Sequence, residues 1–97
     1  SVTNYDYPNI FGKDSEKHFL NFFNLLKKSN FPTNRIKNYY YFQIGRWDLQ
    51  LDNKMIIKLP SEKMKNAIKK TIKLLTKEDF KNYEVIDLRI NDRIIVK

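Results

Sequence analysis

The sequence predicts an α+β fold: a mostly antiparallel sheet of about five strands covered by two helices, in the order α-β-β-β-α-β-β. Two segments carry apolar residues at helical spacing, and several shorter segments are rich in strand-forming or alternating apolar residues. Ninety-seven residues suffice for a single domain over 1–97, and with no cysteine the chain has no disulfide framework or thiolate metal site. No apolar run approaches the ~20 residues that span a bilayer, so no transmembrane helix is predicted within these residues.

The first predicted helix runs from Asp14 or Ser15, either of which can cap it, to about Ser29. Its apolar stripe lies at helical spacing: Phe19, Phe22, Phe23 and Leu26. The helix ends near Pro32, because proline cannot continue the backbone hydrogen bonding. Residues 1–12 are expected to form an extended lead-in that covers one edge of the core.

An aromatic strand at about 37–44 is followed by a hairpin over 46–59, whose register can be predicted. A three-residue loop over 52–54 aligns only apolar pairs: Leu51 with Met55, Leu49 with Ile57, and Trp47 with Leu59. A two-residue loop would instead place Leu51 opposite Lys54 and mix apolar with charged side chains. The three-residue loop is therefore predicted, with Asp48, Gln50 and Lys58 on the polar face.

The second predicted helix starts after Pro60, with Ser61 as its cap. Its core stripe is Met64, Ile68, Ile72 and Leu75, and lysines cover the remainder. Residues 76–83 form a polar connection with a short helical turn around 78–81. Two strand segments follow within 84–97, separated by Asn91-Asp92.

No combination of residues indicates catalysis, a cofactor site or a metal site. His18 is the single histidine, without a second ligand at metal-binding spacing, and the two glycines are too far apart to form a phosphate-binding loop. Two strand aspartates have arginines two positions away: Asp48 beside Arg46, and Asp87 beside Arg89. These favour cross-strand ion pairs over a pair of catalytic carboxylates.

The net charge of +8 leaves two interpretations open. The first is a bias of the genome toward A/T-rich codons, which encode lysine, asparagine and isoleucine, all abundant here. The second is a nucleic-acid-binding module, whose partner the positive charge would attract. The lysine-covered helix over 62–77 is either a solvated face or a patch for phosphate or anionic lipid. The tyrosines at 39–41 resemble a base-stacking platform, although strand alternation divides them between two faces and favours packing.

The last strand carries three consecutive apolar residues: Ile94, Ile95 and Val96. One of them must point away from the packed face, so the strand is either an edge that accepts another strand or a strand buried on both faces. A three-residue connection would pair Ile90 with Ile94 and Leu88 with Val96. Ile95 would then lie outward, on the face shared by Arg89 and Arg93.

Two motifs follow one another in the chain: RWDLQLDNKMIIKLP, followed by a helix, and VIDLRINDRIIVK. In their order and separation they resemble the C-terminal β domain of the FtsQ family of bacterial cell-division proteins. The upstream YPNIFGKDSEKHFLNFFNLL is similar to a family segment as well, with Tyr7 in place of the usual leucine. Lys54 stands where the family's turn glycine is usual, so Lys54 or Asn53 must adopt a left-handed conformation.

The resemblance implies a bitopic membrane protein with a short cytoplasmic tail, one transmembrane helix, a POTRA domain and then this β domain. The chain would thus be a fragment on the periplasmic side of the bacterial inner membrane, in contact with the membrane only through the missing anchor. It would be non-enzymatic and would recruit FtsB-like and FtsL-like proteins by adding a partner strand to its last strand. The partner-binding residues implied are Arg89, Ile90, Asn91, Asp92, Arg93, Ile94, Ile95 and Val96. Arg46 is expected to help hold an acidic partner residue, no cofactor is expected, and a basic nucleic-acid-binding module is the alternative.

Overall fold

A computed structural model describes residues 8–97, in which one six-stranded sheet is covered by two helices. The elements are β1 Asn9–Phe11, α1 Ser15–Lys28, β2 Ile36–Phe42, β3 Arg46–Leu51, β4 Ile56–Lys58, α2 Met64–Leu75, β5 Val85–Asp87 and β6 Ile95–Val96. Short 3-10 turns lie at Thr33–Arg35 and Glu78–Phe80, the second of them within the turn predicted around 78–81. The start of the predicted lead-in, residues 1–7, lies outside the described residues.

The strands lie side by side in chain order, from β1 at one edge to β6 at the other. The pairs β1–β2 and β4–β5 are parallel, and the other three pairs are antiparallel. Each parallel pair is connected through a helix, as parallel strands require. The predicted α+β fold with two helices is confirmed, but the sheet is mixed and has a sixth strand, β1, within the segment expected only as an extended lead-in.

Both helices contribute to one apolar core on the same face of the sheet, here called the inner face. The most buried side chains of β2 to β5 point to it, among them Tyr39, Leu49, Ile57 and Ile86, each with no exposed surface. The opposite, outer face carries the alternate strand residues and has no helix over it among the described residues.

The β3–β4 hairpin has the predicted register. Leu49 lies opposite Ile57, and the amide of Leu51 donates to the carbonyl of Met55 at 2.9 Å. Trp47 is 2% exposed and stacks on Phe22 of α1, with 4.8 Å between ring centroids. The turn holds Lys54, not Asn53, in the left-handed region, with φ 74°.

Neither helix start has the predicted side-chain capping hydrogen bond, although α1 does begin at Ser15 after Asp14, as predicted. Asp14 occupies the N-cap position of α1, but it is left-handed and makes no capping hydrogen bond with its side chain. Its carboxylate accepts a hydrogen bond from Gln43 at 3.3 Å instead. The predicted cap at Ser61 is wrong, because left-handed Lys63 (φ 55°) interrupts helical geometry and α2 begins at Met64. Neither helix in residues 8–97 is long and apolar enough to cross a membrane.

Candidate partner-binding edge of the sheet

The C-terminal strand β6 forms an open edge of the sheet. Val85 and Lys97 exchange backbone hydrogen bonds, with 3.1 Å from the Lys97 amide to the Val85 carbonyl. Because hydrogen-bonded and non-hydrogen-bonded pairs alternate along an antiparallel ladder, the next pair, Ile86 and Val96, is not bonded across the strands. The N–H and C=O of Val96 therefore point outward from β5, toward the side of β6 that no strand of residues 8–97 occupies.

The register of β5 and β6 differs from the prediction. Ile86 lies opposite Val96 and Asp87 opposite Ile95, so the predicted pairs of Ile90 with Ile94 and Leu88 with Val96 are wrong by two residues. The reason lies in the connection, which is longer than three residues and leaves the ladder after Asp87. Since the shift is an even number of residues, it preserves the faces, and Ile95 still shares the outer face with Arg89.

The residues of the β5–β6 connection are largely exposed. Ile90 is 52% exposed and Ile94 40%, while Ile95 and Val96 are half-buried. Left-handed Asp92 shapes the turn, which the Arg93 amide closes by donating to the Ile90 carbonyl at 3.2 Å. The alternative of a last strand buried on both faces is therefore not observed.

Arg89 pairs with Asp87, two positions away on its own segment and on the outer face, so the cross-strand ion pair expected for Asp87 is wrong. Its guanidinium donates two hydrogen bonds from Nε and one from Nη2 to the Asp87 carboxylate, the shortest at 2.7 Å. This bonding holds the pKa of the Asp87 carboxyl below its ordinary value, because the charged form is favoured. The Arg89 side chain remains 45% exposed, so a partner can still reach it.

Arg46 is not brought to this edge. It lies on β3, with β4 and β5 between it and β6, which corresponds to about 14 Å across three strand spacings. Its guanidinium pairs with Asp48, lies 4.2 Å from the centre of the Phe42 ring, and is only 14% exposed. Any contact with an acidic partner residue would have to compete with the Asp48 pair.

A cleft of about 470 Å³ lies beside the edge, between the start of α2 and residues 88–94. Sequence reasoning missed it, because it depends on how α2 packs over the inner face. Its lining combines apolar side chains with charges: Ala67, Leu88, Ile90 and Ile94 with Lys63, Lys70, Arg93, Glu62 and Asp92. The signal available in the sequence was the pair of isoleucines on either side of a polar turn.

The tyrosines at 39–41 are packed, as strand alternation predicts. Tyr39 is fully buried under α1, and Tyr41 lies 4.9 Å from Trp47 between ring centroids. Tyr40, on the outer face, stacks on Phe11 at 5.2 Å. They do not form a common base-stacking platform, which removes the feature that favoured nucleic acid over other acidic partners.

His18 stacks on Tyr41, with 4.8 Å between ring centroids, and lies on α1, away from the β6 edge. Within residues 8–97, no group of three or more histidines, aspartates or glutamates lies close enough together to hold a metal ion. What this part of the chain does bring together at the β6 edge is an unpaired strand edge with exposed isoleucines and arginines beside it.

An open strand edge beside an apolar and charged cleft is typical of a domain that binds another chain. The family model for the C-terminal region of the cell-division protein FtsQ/DivIB matches residues 2–89, and the chain belongs to this family. The description of the family is that of a cell-division protein. The matched segment ends at Arg89, so β6 lies beyond it.

Two curated relatives are named cell division protein FtsQ. One is from Rhizobium radiobacter and the other from Agrobacterium fabrum strain C58, and each is 32% identical over 92 residues, or 93% of this chain. The chain spans 44% of the length of the first relative and 29% of the second.

Proposed function

We propose that this domain is a non-enzymatic scaffold of the bacterial division machinery, which recruits FtsB-like and FtsL-like proteins by strand addition to β6. The observation that carries the proposal is the position of β6 at the edge of the sheet, with the backbone groups of Val96 directed outward. A strand added there gains main-chain hydrogen bonds that the free domain leaves to water. Membership in a cell-division family supports the setting.

Side chains on both faces of β6 would select the partner strand. On the outer face, Ile95 offers an apolar contact beside Arg89, and Arg93 lines the cleft; both arginines favour a strand that carries acidic residues. On the inner face, an apolar side chain of the added strand would enter the cleft near Ile90 and Ile94. The preferred partner segment is thus an extended strand that carries both acidic and apolar residues.

The same proposal includes a setting for the domain. It would lie on the periplasmic side of the inner membrane, joined through a POTRA domain to a single transmembrane helix N-terminal to these residues. The support is the family membership and the lengths of the two relatives, of which this chain spans less than half.

The test is calorimetric titration of an FtsB-like peptide into the wild-type chain and three variants. Ile95→Lys should weaken binding by about 2 kcal/mol, or roughly thirtyfold, the scale of an interface hot spot. Arg89→Glu should weaken it through charge reversal. Ile44→Lys is the matched control, because Ile44 is 75% exposed in the β2–β3 turn and receives the same substitution.

Thermal unfolding of each variant separates lost binding from lost folding. Ile95→Lys should leave the midpoint nearly unchanged, because the side chain is half-buried on the face without a helix. Wild-type affinity in both the Ile95 and Arg89 variants would exclude β6 as the site. An Ile95→Lys chain that does not fold would instead show that this side chain belongs to the core.

A further inference from the structure

Four lysines of α2, with one more lysine on either side of the helix, form an exposed basic surface. We define the α2 lysine face by the six lysines of the segment 63–77, all of them exposed: Lys63, Lys65, Lys69, Lys70, Lys73 and Lys77. The segment contains no acidic residue, so it carries six of the chain's eight net positive charges. The remainder of the chain is close to electrically balanced.

The geometry of α2 keeps these charges together. Lys65, Lys69 and Lys73 follow one another at four-residue intervals, about 6 Å apart along the helix axis. The opposite side of the helix is buried, through Ala67, Ile68, Thr71 and Leu74. Within residues 8–97, none of the six lysines forms an ion pair with an aspartate or glutamate.

This arrangement is unfavourable for the helix itself. Like charges four positions apart, such as Lys65 with Lys69 and Lys69 with Lys73, repel each other and destabilise a helix. A bias toward A/T-rich codons raises the lysine content of a whole chain, but it does not concentrate six of eight net charges in fifteen residues. An external anion that neutralises the face would relieve the repulsion.

The side chains of the face indicate which anion fits. Exposed aromatic residues are missing from 63–77, so nothing there stacks on unpaired bases, and no arginine supplies a bidentate fork for a fixed phosphate. Lysines are point charges on flexible stems, which suit many mobile phosphates spread over a surface. Within 63–77 no large apolar side chain is exposed, so the contact made by this segment would be electrostatic and without insertion.

We infer that the α2 lysine face binds the anionic headgroup surface of a phospholipid bilayer. The inference rests on the proposed function, because a membrane-anchored division domain is held close to such a surface. It adds a second membrane contact to the single N-terminal anchor that the sequence analysis expected. Lys65 and Lys73 do not line the cleft beside β6, whereas Lys63, Lys69 and Lys70 do, so the lipid-binding surface adjoins the surface for strand addition.

The experiment measures binding of the full 97-residue chain to vesicles by cosedimentation. Vesicles of phosphatidylcholine alone are compared with vesicles that also contain phosphatidylglycerol. The chain should bind only the second kind, and binding should be lost near 1 M salt, where the screening length falls to about 3 Å. The triple variant Lys65→Gln, Lys69→Gln, Lys73→Gln should bind more weakly by roughly fivefold per lysine removed.

A matched triple variant removes the same net charge elsewhere. Lys13→Gln, Lys27→Gln, Lys28→Gln alters three exposed lysines in or beside α1, and it should keep most of the affinity. Equal losses in the two triple variants would mean that net charge alone drives binding, and the inference would be wrong. An absence of binding to anionic vesicles at low salt would also overturn it, as would tighter binding to duplex DNA through the same three lysines.

The peptide and vesicle measurements together distinguish a failure of lipid binding from a failure of strand addition to β6. If the α2 triple variant binds the FtsB-like peptide normally but loses the vesicles, both surfaces act as proposed. If the wild-type chain binds the peptide and no vesicle, the lipid inference alone falls. If it binds vesicles and no peptide, strand addition to β6 falls, and a lipid-binding face remains on a domain of different function.

Discussion

The two antiparallel hairpins at the middle and at the end of the sheet have similar topology and very different burial. In β3–β4, the inner-face residues Trp47, Leu49 and Ile57 are at most 2% exposed. In β5–β6, Ile86 of β5 is equally buried, but both residues of the last strand are half-buried and the turn exposes Ile90. The central hairpin is therefore expected to determine stability, while the terminal hairpin retains unused backbone and apolar surface for a partner.

The largest effect is expected from Trp47→Ala in the central hairpin. Removal of this ring deletes its stacking on Phe22 and leaves a cavity, which should lower the free energy of unfolding by roughly 3–5 kcal/mol. A loss of that size can unfold so small a domain. Urea denaturation monitored by circular dichroism measures it.

The control for the tryptophan variant is Ile90→Ala in the terminal hairpin. Ile90 is half exposed, so its truncation should cost much less than that of a buried residue. Similar losses for the two variants would mean that the terminal hairpin is as integral to the fold as the central one.

A smaller effect, an increase in stability, is expected from a substitution in the turn of the central hairpin. Lys54 has φ 74°, a conformation that costs an L-residue with a side chain about 1–2 kcal/mol and costs glycine almost nothing. After allowance for the greater freedom of glycine in the unfolded chain, Lys54→Gly should stabilise the domain by about 0.5–1 kcal/mol. The same denaturation curves measure the change.

The terminal turn supplies a comparison for the lysine variant. Asp92 is also left-handed, with φ 60°, but aspartate tolerates this region better than lysine does. Asp92→Gly should therefore gain less than Lys54→Gly. A destabilised Lys54→Gly chain would show that the lysine side chain makes a favourable contribution that outweighs its backbone strain.

The same contrast explains how much of the fold the sequence could predict. The register of β3–β4 followed from its side chains, because one of the two candidate loops mixed Leu51 with Lys54 and the other buried only apolar pairs. Helix α1 was predictable for a similar reason, since its phenylalanines and Leu26 pack on the core at helical spacing.

The β5–β6 register was not predictable in this way. A shift of two residues leaves every side chain on the same face, so the hydrophobic pattern cannot distinguish the two pairings. Left-handed Asp92 and the Asp87–Arg89 contact, which accompany the longer turn, are local backbone features. The cleft beside β6 was equally hidden, because it requires the position of α2 and not the pattern of any one element.

The central core contains one buried polar group whose removal should be nearly neutral. The hydroxyl of Tyr39 is buried, and the described residues offer it no hydrogen-bond partner. Because an unpaired buried hydroxyl costs free energy, Tyr39→Phe should stabilise the domain by up to about 1 kcal/mol or leave it unchanged. Tyr40→Phe is the control, since the Tyr40 hydroxyl lies within 3.5 Å of Gln50 Oε1.

The stability of the domain at alkaline pH should also depend on the Tyr39 hydroxyl. Burial raises the pKa of Tyr39 to about 12, because the charged form is disfavoured in the core. Below about pH 10, where the unfolded tyrosine is also neutral, the group does not alter stability; between about 10 and 12 the unfolded chain ionises first and stability falls. Tyr39→Phe should flatten this loss, and an unchanged alkaline slope would mean that the hydroxyl is hydrated.

The smallest effect on stability is expected at the terminal hairpin, from the pair of Asp87 and Arg89. Arg89 lowers the pKa of Asp87 through hydrogen bonds, so the folded state favours the carboxylate more than the unfolded chain does. The stabilisation is present above the ordinary value of about 3.9 and is lost as the pH falls through the lower folded value. In urea denaturation at a series of acidic pH values, Asp87→Asn should therefore have a shallower loss of stability below about pH 4 than the wild type.

Arg89→Lys sharpens the last comparison, because it keeps the charge and removes the planar fork that makes the contacts to both carboxylate oxygens. Like Asp87→Asn, it should make the loss of stability at acidic pH shallower, but to a smaller extent. Stability at neutral pH should be almost unchanged, since half-exposed ion pairs contribute little. If Arg89→Lys instead destabilises the domain as severely as Trp47→Ala, the terminal hairpin is part of the structural core. The division between a stabilising central hairpin and a binding terminal hairpin would then be wrong.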